Sequence, residues 1–153
     1  MRKYMMKLTQ GFLMASTLCI CAMPSAWAQN DFAQTAAKEP GAKVTSSGLV
    51  FRSLQDGQGA SPMATDKVKV HYRGTFPDGK EFDSSYKRNQ AIEFPLNGVI
   101  PCWTEGVQLM KIGGKAKLTC PPAIAYGARG AGGVIPPNAT LQFEVELIAI
   151  AGK

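Results

Sequence analysis

Histidine is almost absent from this sequence: His71 is the only one in 153 residues. It stands on the polar side of an alternating strand pattern, so we expect it to face solvent. A single exposed histidine argues against a Ser-His-Asp triad and against a zinc site. No G-x-S-x-G motif is present, and neither Leu109 nor Ala116 suits a Walker A loop around Gly114-Lys115. We therefore expect no nucleophilic or metal chemistry and no cofactor.

Strong charge of one sign is also lacking. The chain carries 17 Lys and Arg against 11 Asp and Glu. Three of the basic residues, Arg2, Lys3 and Lys7, lie in the first seven positions, so 14 remain beyond them, a net charge of +3. An excess this small and dispersed argues against a nucleic-acid partner.

Long hydrophobic runs are confined to the N-terminus. The basic start MRKYMMK leads into an apolar stretch from Leu8 to Met23 and then into PSAWA, which ends at Ala28. This is the pattern of a secretory signal peptide. The apolar stretch contains several polar residues and is short for a membrane span. We expect a signal peptide over residues 1–28, a periplasmic location and no membrane span after cleavage.

The rest of the chain divides into a polar segment and one domain. Residues 29–47 have only Phe32 and Val44 as sizeable apolar groups, so we expect a flexible tail. Trp103, Val107 and Met110 recur at helical spacing and predict one short helix over 103–114. Alternating apolar residues predict strands at 49–54, 68–72, 92–94, 116–120 and 139–150. Residues 48–153 should therefore form an α+β domain.

Two further features point toward a site without deciding what it does. The stretch AYGARGAGGVIPPNAT carries four glycines and a Pro-Pro pair directly before the last strand. Aromatic rings also recur near isolated polar groups, as at Phe82-Asp83 and Tyr126. On spacing alone, an ordinary aromatic core explains these rings at least as well as a binding pocket does.

Three stretches carry a resemblance to a known family. VKVHYRGTFPDGKEFDSS, GVIPCWTEGVQLMKIGGKAKL and AYGARGAGGVIPPNATLQFEVEL, in this order, resemble the FKBP-type peptidyl-prolyl cis/trans isomerases. The resemblance covers about residues 47–150. It points in particular to bacterial secreted members related to macrophage infectivity potentiators, without their long helical dimerisation arm. It implies a five-stranded antiparallel sheet curled around one short helix, and we expect a monomer.

The same resemblance implies a pocket between helix and sheet. Trp103 would form its floor, Asp83 and Tyr126 would supply polar groups, and the Ile100 backbone N–H would hold a substrate carbonyl. The walls and an overhanging flap would come from apolar and aromatic residues: Tyr72, Phe82, Val99, Val134, Ile135 and Phe143. This sequence departs from the family pattern at Ile92, often an aromatic, and at Ala131, often a histidine. These departures leave substrate preference and inhibitor affinity open.

The implied function is isomerisation of X-Pro peptide bonds in unfolded or partly folded extracytoplasmic proteins. Such a reaction requires no nucleophile, since a dry aromatic pocket can favour the twisted bond. A peptide-binding chaperone module with incidental isomerase activity is the alternative. A macrolide such as rapamycin would compete for the pocket.

Two cysteines, Cys102 and Cys120, lie beyond the expected leader. A secreted compartment permits their oxidation. Within the implied fold, the strand that carries Cys120 runs beneath the first turn of the helix, so the two sulfurs could meet. We expect a disulfide, with two buried thiols as the alternative.

Overall fold

The computed structural model describes residues 25–152, with side chains described from residue 31 onward. The leader expected over residues 1–28 thus lies almost wholly outside the described residues. Neither helix in the described range is long and apolar enough to cross a membrane. The elements are α1 (Ser25–Ala37), β1 (Ala42–Val44), β2 (Val50–Gln55), β3 (Lys67–Thr75), β4 (Glu81–Ser84), β5 (Ile92–Pro95), α2 (Pro101–Gln108), β6 (Lys115–Cys120) and β7 (Leu141–Ile150), with single 3-10 turns at Leu96–Gly98, Pro122–Ile124 and Gly127–Arg129.

The strands form one antiparallel sheet in the order β1-β2-β6-β7-β3-β4, and β5 also pairs with β3. Cross-strand register places Ala116 opposite Val145 and Val145 opposite Tyr72, so one row of side chains crosses the concave face. The expected α+β class is confirmed. The sheet has seven strands rather than five; the two strands that were not expected are β1, which lies in the segment expected to be a tail, and β4.

Helix α2 packs against the concave face and encloses the core. A Cβ on Gly106 would lie 2.7 Å from the Leu118 side chain, so glycine is what permits this close approach. The helix begins at Pro101, which suits the first helical position because proline lacks an N–H. It ends at Gln108 and not near 114 as expected. Met110 lies in the following turn, where its burial continues the apolar spacing of the helix.

The segment 29–47 is not the flexible tail that its composition predicts. Helix α1 contacts the sheet, and Ala36 is only 5% exposed. Its neighbour Glu39 forms ion pairs with Arg52 at 2.5 Å and Lys117 at 3.4 Å. Strand β1 then pairs with β2, with Lys43 opposite Phe51. The prediction from composition was wrong because the segment is held by backbone pairing, a small buried alanine and ion pairs. Large apolar side chains are not what attaches it.

The disulfide expected between Cys102 and Cys120 is confirmed. It joins the first turn of α2 to the last residue of β6, with the two Cα atoms 5.8 Å apart. Both residues are fully buried. The bond therefore links helix and sheet inside the core.

Replacing Ala36 with Asp should release α1 and β1 from the sheet, because an unpaired charge at a buried position is costly. The amides of Ala42 and Thr45, which donate to the Glu39 and Leu49 carbonyls, should then exchange faster with deuterium. Hydrogen exchange followed by mass spectrometry measures this. Gln34→Asp, at an exposed position of the same helix, is the control and should leave exchange unchanged. Equal protection in both variants would contradict the docking of this segment.

Candidate functional site

A cavity of about 620 Å³ opens between α2 and the concave face of the sheet. The structure brings eight of the ten residues expected at a site to its walls; Val134 and Ile135 are the exceptions. Ile92, Phe94 and Gly98, which were not among those ten, also line it. The complete lining is Tyr72, Phe82, Asp83, Ile92, Phe94, Gly98, Val99, Ile100, Trp103, Tyr126 and Phe143.

The cavity floor is Trp103, which is 5% exposed. Its ring meets Tyr72 edge-on at a centroid distance of 5.2 Å and Phe143 edge-on at 5.3 Å. Phe94 packs against it at 5.5 Å. Edge-to-face contacts of this kind favour one mutual orientation of the rings, so the floor is rigid as well as apolar.

The rim segment that precedes α2 is held by hydrogen bonds to both sides. The Ile100 carbonyl accepts from the N–H groups of Trp103 at 3.0 Å and Thr104 at 3.2 Å. The Thr104 hydroxyl donates to the Leu96 carbonyl at 2.8 Å. These bonds place Val99 and Ile100 against the cavity at the start of the helix.

Asp83 is the carboxylate of the cavity, and four hydrogen bonds order its surroundings. The Tyr72 hydroxyl donates to one carboxylate oxygen. The Arg88 guanidinium donates to the other at 2.6 Å and to the Tyr72 oxygen at 2.9 Å. The Ser84 N–H also donates to Asp83, at 2.8 Å. Tyr72, Asp83 and Arg88 thus form a closed triangle, with the arginine charge offsetting the carboxylate.

These contacts determine the charge state of the site. Partial burial tends to raise the pKa of Asp83, but hydrogen bonds from Tyr72 and Arg88 and the arginine charge outweigh it, so the pKa is lowered. Burial, followed by the effect of Asp83, raises the pKa of both Tyr72 and Tyr126. At neutral pH the site therefore presents one carboxylate and two protonated phenols.

The strand position of His71 predicts a side chain that faces solvent, but the side chain is partly buried. Its ring stacks on Tyr86 with centroids 4.8 Å apart, and its Nδ1 lies 2.9 Å from the hydroxyl of Ser85. That buried hydroxyl also accepts from the Tyr72 N–H at 2.8 Å. Ser85 therefore ties the end of β4 to β3 beside Asp83.

Sequence reasoning missed Ser85 and Arg88. Both follow Asp83 within five positions, just beyond the end of β4. Their side chains reach back to Asp83 or Tyr72 across the turn that follows. A serine and an arginine after a strand are typical of an ordinary surface, so their contacts with the site could be found only from the structure of the turn.

The glycine-rich stretch forms a tight hairpin next to the cavity. Ala131 and Ile135 pair through two backbone hydrogen bonds of 2.9 and 3.0 Å. Gly130 has φ +63°, and a Cβ there would lie 2.1 Å from the Ile135 carbonyl oxygen, so no other residue fits. This explains why glycine precedes the hairpin.

The hairpin bounds a second cavity of about 320 Å³ that shares Phe82, Asp83 and Tyr126 with the first. Val134 and Ile135 line this adjoining cavity and not the main one. Ile135 is nearly buried, while Val134 is 57% exposed at the hairpin tip. The expected flap residues are thus present beside the pocket, with only Ile135 packed into the core cluster.

Comparisons with known proteins identify the family of the chain. The family model described as FKBP-type peptidyl-prolyl cis-trans isomerase matches residues 59–148. The chain belongs to this family.

Individual FKBP-type relatives and structures are similar over most of the chain. The FKBP-type 22 kDa peptidyl-prolyl cis-trans isomerase of Escherichia coli (strain K12) is 54% identical over 114 residues, covering 74% of this chain and 55% of that protein. The crystal structure of FkpA from Escherichia coli superposes with a TM-score of 0.79 at 48% identity, over 81% of this chain and 58% of that one. An isomerase structure from Pseudomonas syringae pv. tomato gives a TM-score of 0.77 at 41% identity, over 82% and 93%. The chain spans about half the length of the curated relatives it matches.

Arg88→Met should raise the pKa of Asp83, because it removes a hydrogen bond and a positive charge that stabilise the carboxylate. A lowered pKa stabilises the fold above the unfolded value, near pH 4, and that contribution disappears as pH falls through the folded value. The variant should therefore lose less stability on acidification than the wild type does. Carbon-13 NMR titration of the carboxyl carbon measures the pKa shift directly.

The matched control is Lys87→Met, which removes the positive charge that directly precedes Arg88 in the sequence. Lys87 pairs with Glu81 at 2.8 Å and not with Asp83. It should leave the Asp83 titration unchanged. An Asp83 pKa that is the same in wild type and Arg88→Met would contradict the triangle.

Proposed function

We propose that this domain catalyses cis/trans isomerisation of X-Pro peptide bonds. The observation that carries the proposal is the rigid aromatic floor at Trp103 beside one ordered carboxylate, in a chain of the FKBP family. The uncatalysed rotation faces a barrier of about 18–20 kcal/mol. The two X-Pro isomers differ by only about 0.5–1 kcal/mol, so both are populated and a catalyst matters for rate alone.

The cavity would lower this barrier by binding the twisted bond more tightly than the planar one. A planar amide separates more charge between oxygen and nitrogen than a twisted one, so transfer into the aromatic cavity favours the twist. In this scheme proline packs on Trp103, and the Ile100 N–H holds the substrate carbonyl. Asp83 and Tyr126 add polar contacts that suit the twisted geometry. No proton transfer or covalent step takes part.

The proposed substrates are proline-containing proteins that are unfolded or partly folded in the periplasm. The leader pattern of residues 1–28 supports export, with cleavage after Ala28. The Cys102–Cys120 disulfide supports an oxidising compartment, where such bonds persist.

We further propose that the exported protein is a monomer and that rapamycin occupies the main cavity. Cleavage after Ala28 would leave residues 29–37 of helix α1, which pack on the sheet of their own chain through Ala36, and this supports the monomer. The apolar floor and walls around Trp103 and Phe143 support binding of a large apolar macrolide.

Wild-type protein should accelerate isomerisation of a peptide with a bulky residue before proline, measured by protease-coupled absorbance. Asp83→Ala and Tyr126→Phe should each lower kcat/KM. For Asp83→Ala we expect roughly tenfold or more, since hydrogen bonds to charged groups contribute about 1.5–3 kcal/mol. Glu93→Ala, which removes a carboxylate paired with Lys67 outside the cavity, should have no effect. Wild-type turnover equal to buffer would defeat the proposal.

A proline-free client distinguishes catalysis from the alternative of a peptide-holding module. Suppression of its aggregation, with the same efficiency in wild type and Asp83→Ala, would show holding that is independent of the isomerase site. Loss of peptide turnover in Asp83→Ala alongside that result would show that both activities exist and are separable.

A further inference from the structure

The disulfide lies at the junction of two segments that each deliver a group to the cavity. Cys102 directly precedes Trp103, which forms the floor of the main cavity. Cys120 ends β6, and the chain then runs through Pro121 and two short 3-10 turns around Tyr126. Neither cysteine lines the cavity, so the bond contacts no substrate there. Any effect it has on catalysis must pass through these neighbours.

Apart from the ring contacts of Trp103 and the hydrogen bond from Thr104 to Leu96, the first turn of the helix has no side-chain cap. Helix α2 has only eight residues, and its N-cap, Ile100, makes no side-chain hydrogen bond to the first turn. Helices this short are marginal without tertiary contacts. The Gly106–Leu118 contact holds the middle of the helix to the sheet. The disulfide makes the equivalent attachment at the first turn, next to Trp103.

The second segment is shaped by local bonds. The Ile124 N–H donates to the Pro121 carbonyl and the Ala125 N–H to the Pro122 carbonyl, both at 3.1 Å. These bonds define the turn but do not attach it to the helix. Cys120, which also pairs with Leu141 on β7, makes that attachment at the start of the turn.

We propose that Cys102 and Cys120 are positioning residues for the isomerase reaction. Their bond holds the Trp103 floor and the segment that carries Tyr126 in one fixed relation. The inference rests on the proposed function and assigns the bond a role in activity beyond stability. In the chain-entropy account, a disulfide acts by restricting the unfolded chain. A purely stabilising bond would therefore leave the activity of the folded molecules unchanged.

The test uses the exported chain, cleaved after Ala28, with Cys102→Ala/Cys120→Val, which removes the bond while refilling core volume, and with Cys102→Ala/Cys120→Ala as a second variant. Both are assayed at a temperature where circular dichroism shows them folded. We expect kcat/KM to fall about tenfold, since small displacements of binding groups are costly to rate. The indole N–H and Tyr126 ring signals in NMR should also shift or broaden. Cleavage after Ala28 removes Trp27, so Trp103 is the sole indole of the exported chain.

Leu147→Ala is the stability control. Leu147 is fully buried on β7 but lies outside the cavity, so the variant should lower Tm and leave kcat/KM unchanged. Wild-type kcat/KM and unshifted NMR signals in a folded bond-free variant would overturn the positioning role. Shifted signals with no isomerase activity in the wild type would refute the proposed function while leaving the ordering role of the bond supported. Failure of both bond-free variants to fold, against a folded Leu147→Ala, would show an essential structural bond and overturn the proposal.

Discussion

Trp103 packs edge-on against Tyr72 and Phe143, and the shape of the site depends on that contact. The indole can reach the concave face only because α2 lies close to the sheet, where Gly106 lets Leu118 approach. The three rings form the apolar part of the cavity wall. A larger residue at position 106 would lift the helix and separate the floor from its walls.

The polar part of the site is built against this floor through Tyr72. One face of its ring meets Trp103, and its hydroxyl donates to Asp83. The Arg88 guanidinium, 5.8 Å from the Tyr72 ring centroid, completes the arrangement. In the proposed reaction, a carboxylate so constrained would need no reorganisation when the substrate twists, which is how fixed polar groups act in catalysis. The apolar floor and the polar group are thus coupled through one side chain.

Much of this arrangement could be predicted where side chains alternate or recur at helical spacing. Val68, Val70 and Tyr72 indicated β3, and Trp103 with Val107 indicated the helix. The expected end of α2 was too late because Met110 is buried in a turn. Eight of the ten residues expected from the resemblance to the FKBP family line the cavity, whereas spacing alone favoured an ordinary aromatic core.

What could not be predicted depends on contacts between segments distant in sequence or on turns. Glu39 meets Lys117 across 78 positions, so composition alone suggested a flexible tail. Arg88 is a charged residue after a strand, and only the turn back to Asp83 reveals its place in the site. Val134 lines an adjoining cavity and not the main one, at the tip of the hairpin in which Ala131 pairs with Ile135.

In the proposed reaction, the cavity accelerates rotation by favouring the twisted bond, and no proton is transferred. Comparison of kcat/KM in H₂O and D₂O at matched, near-neutral pD tests it most directly. We expect a ratio close to one, because the proposed reaction transfers no proton and because the lowered pKa of Asp83 and the raised pKa values of Tyr72 and Tyr126 keep the free site in one protonation state near neutral pH. A ratio of about two or more would place a proton transfer in the rate-limiting step and contradict the account.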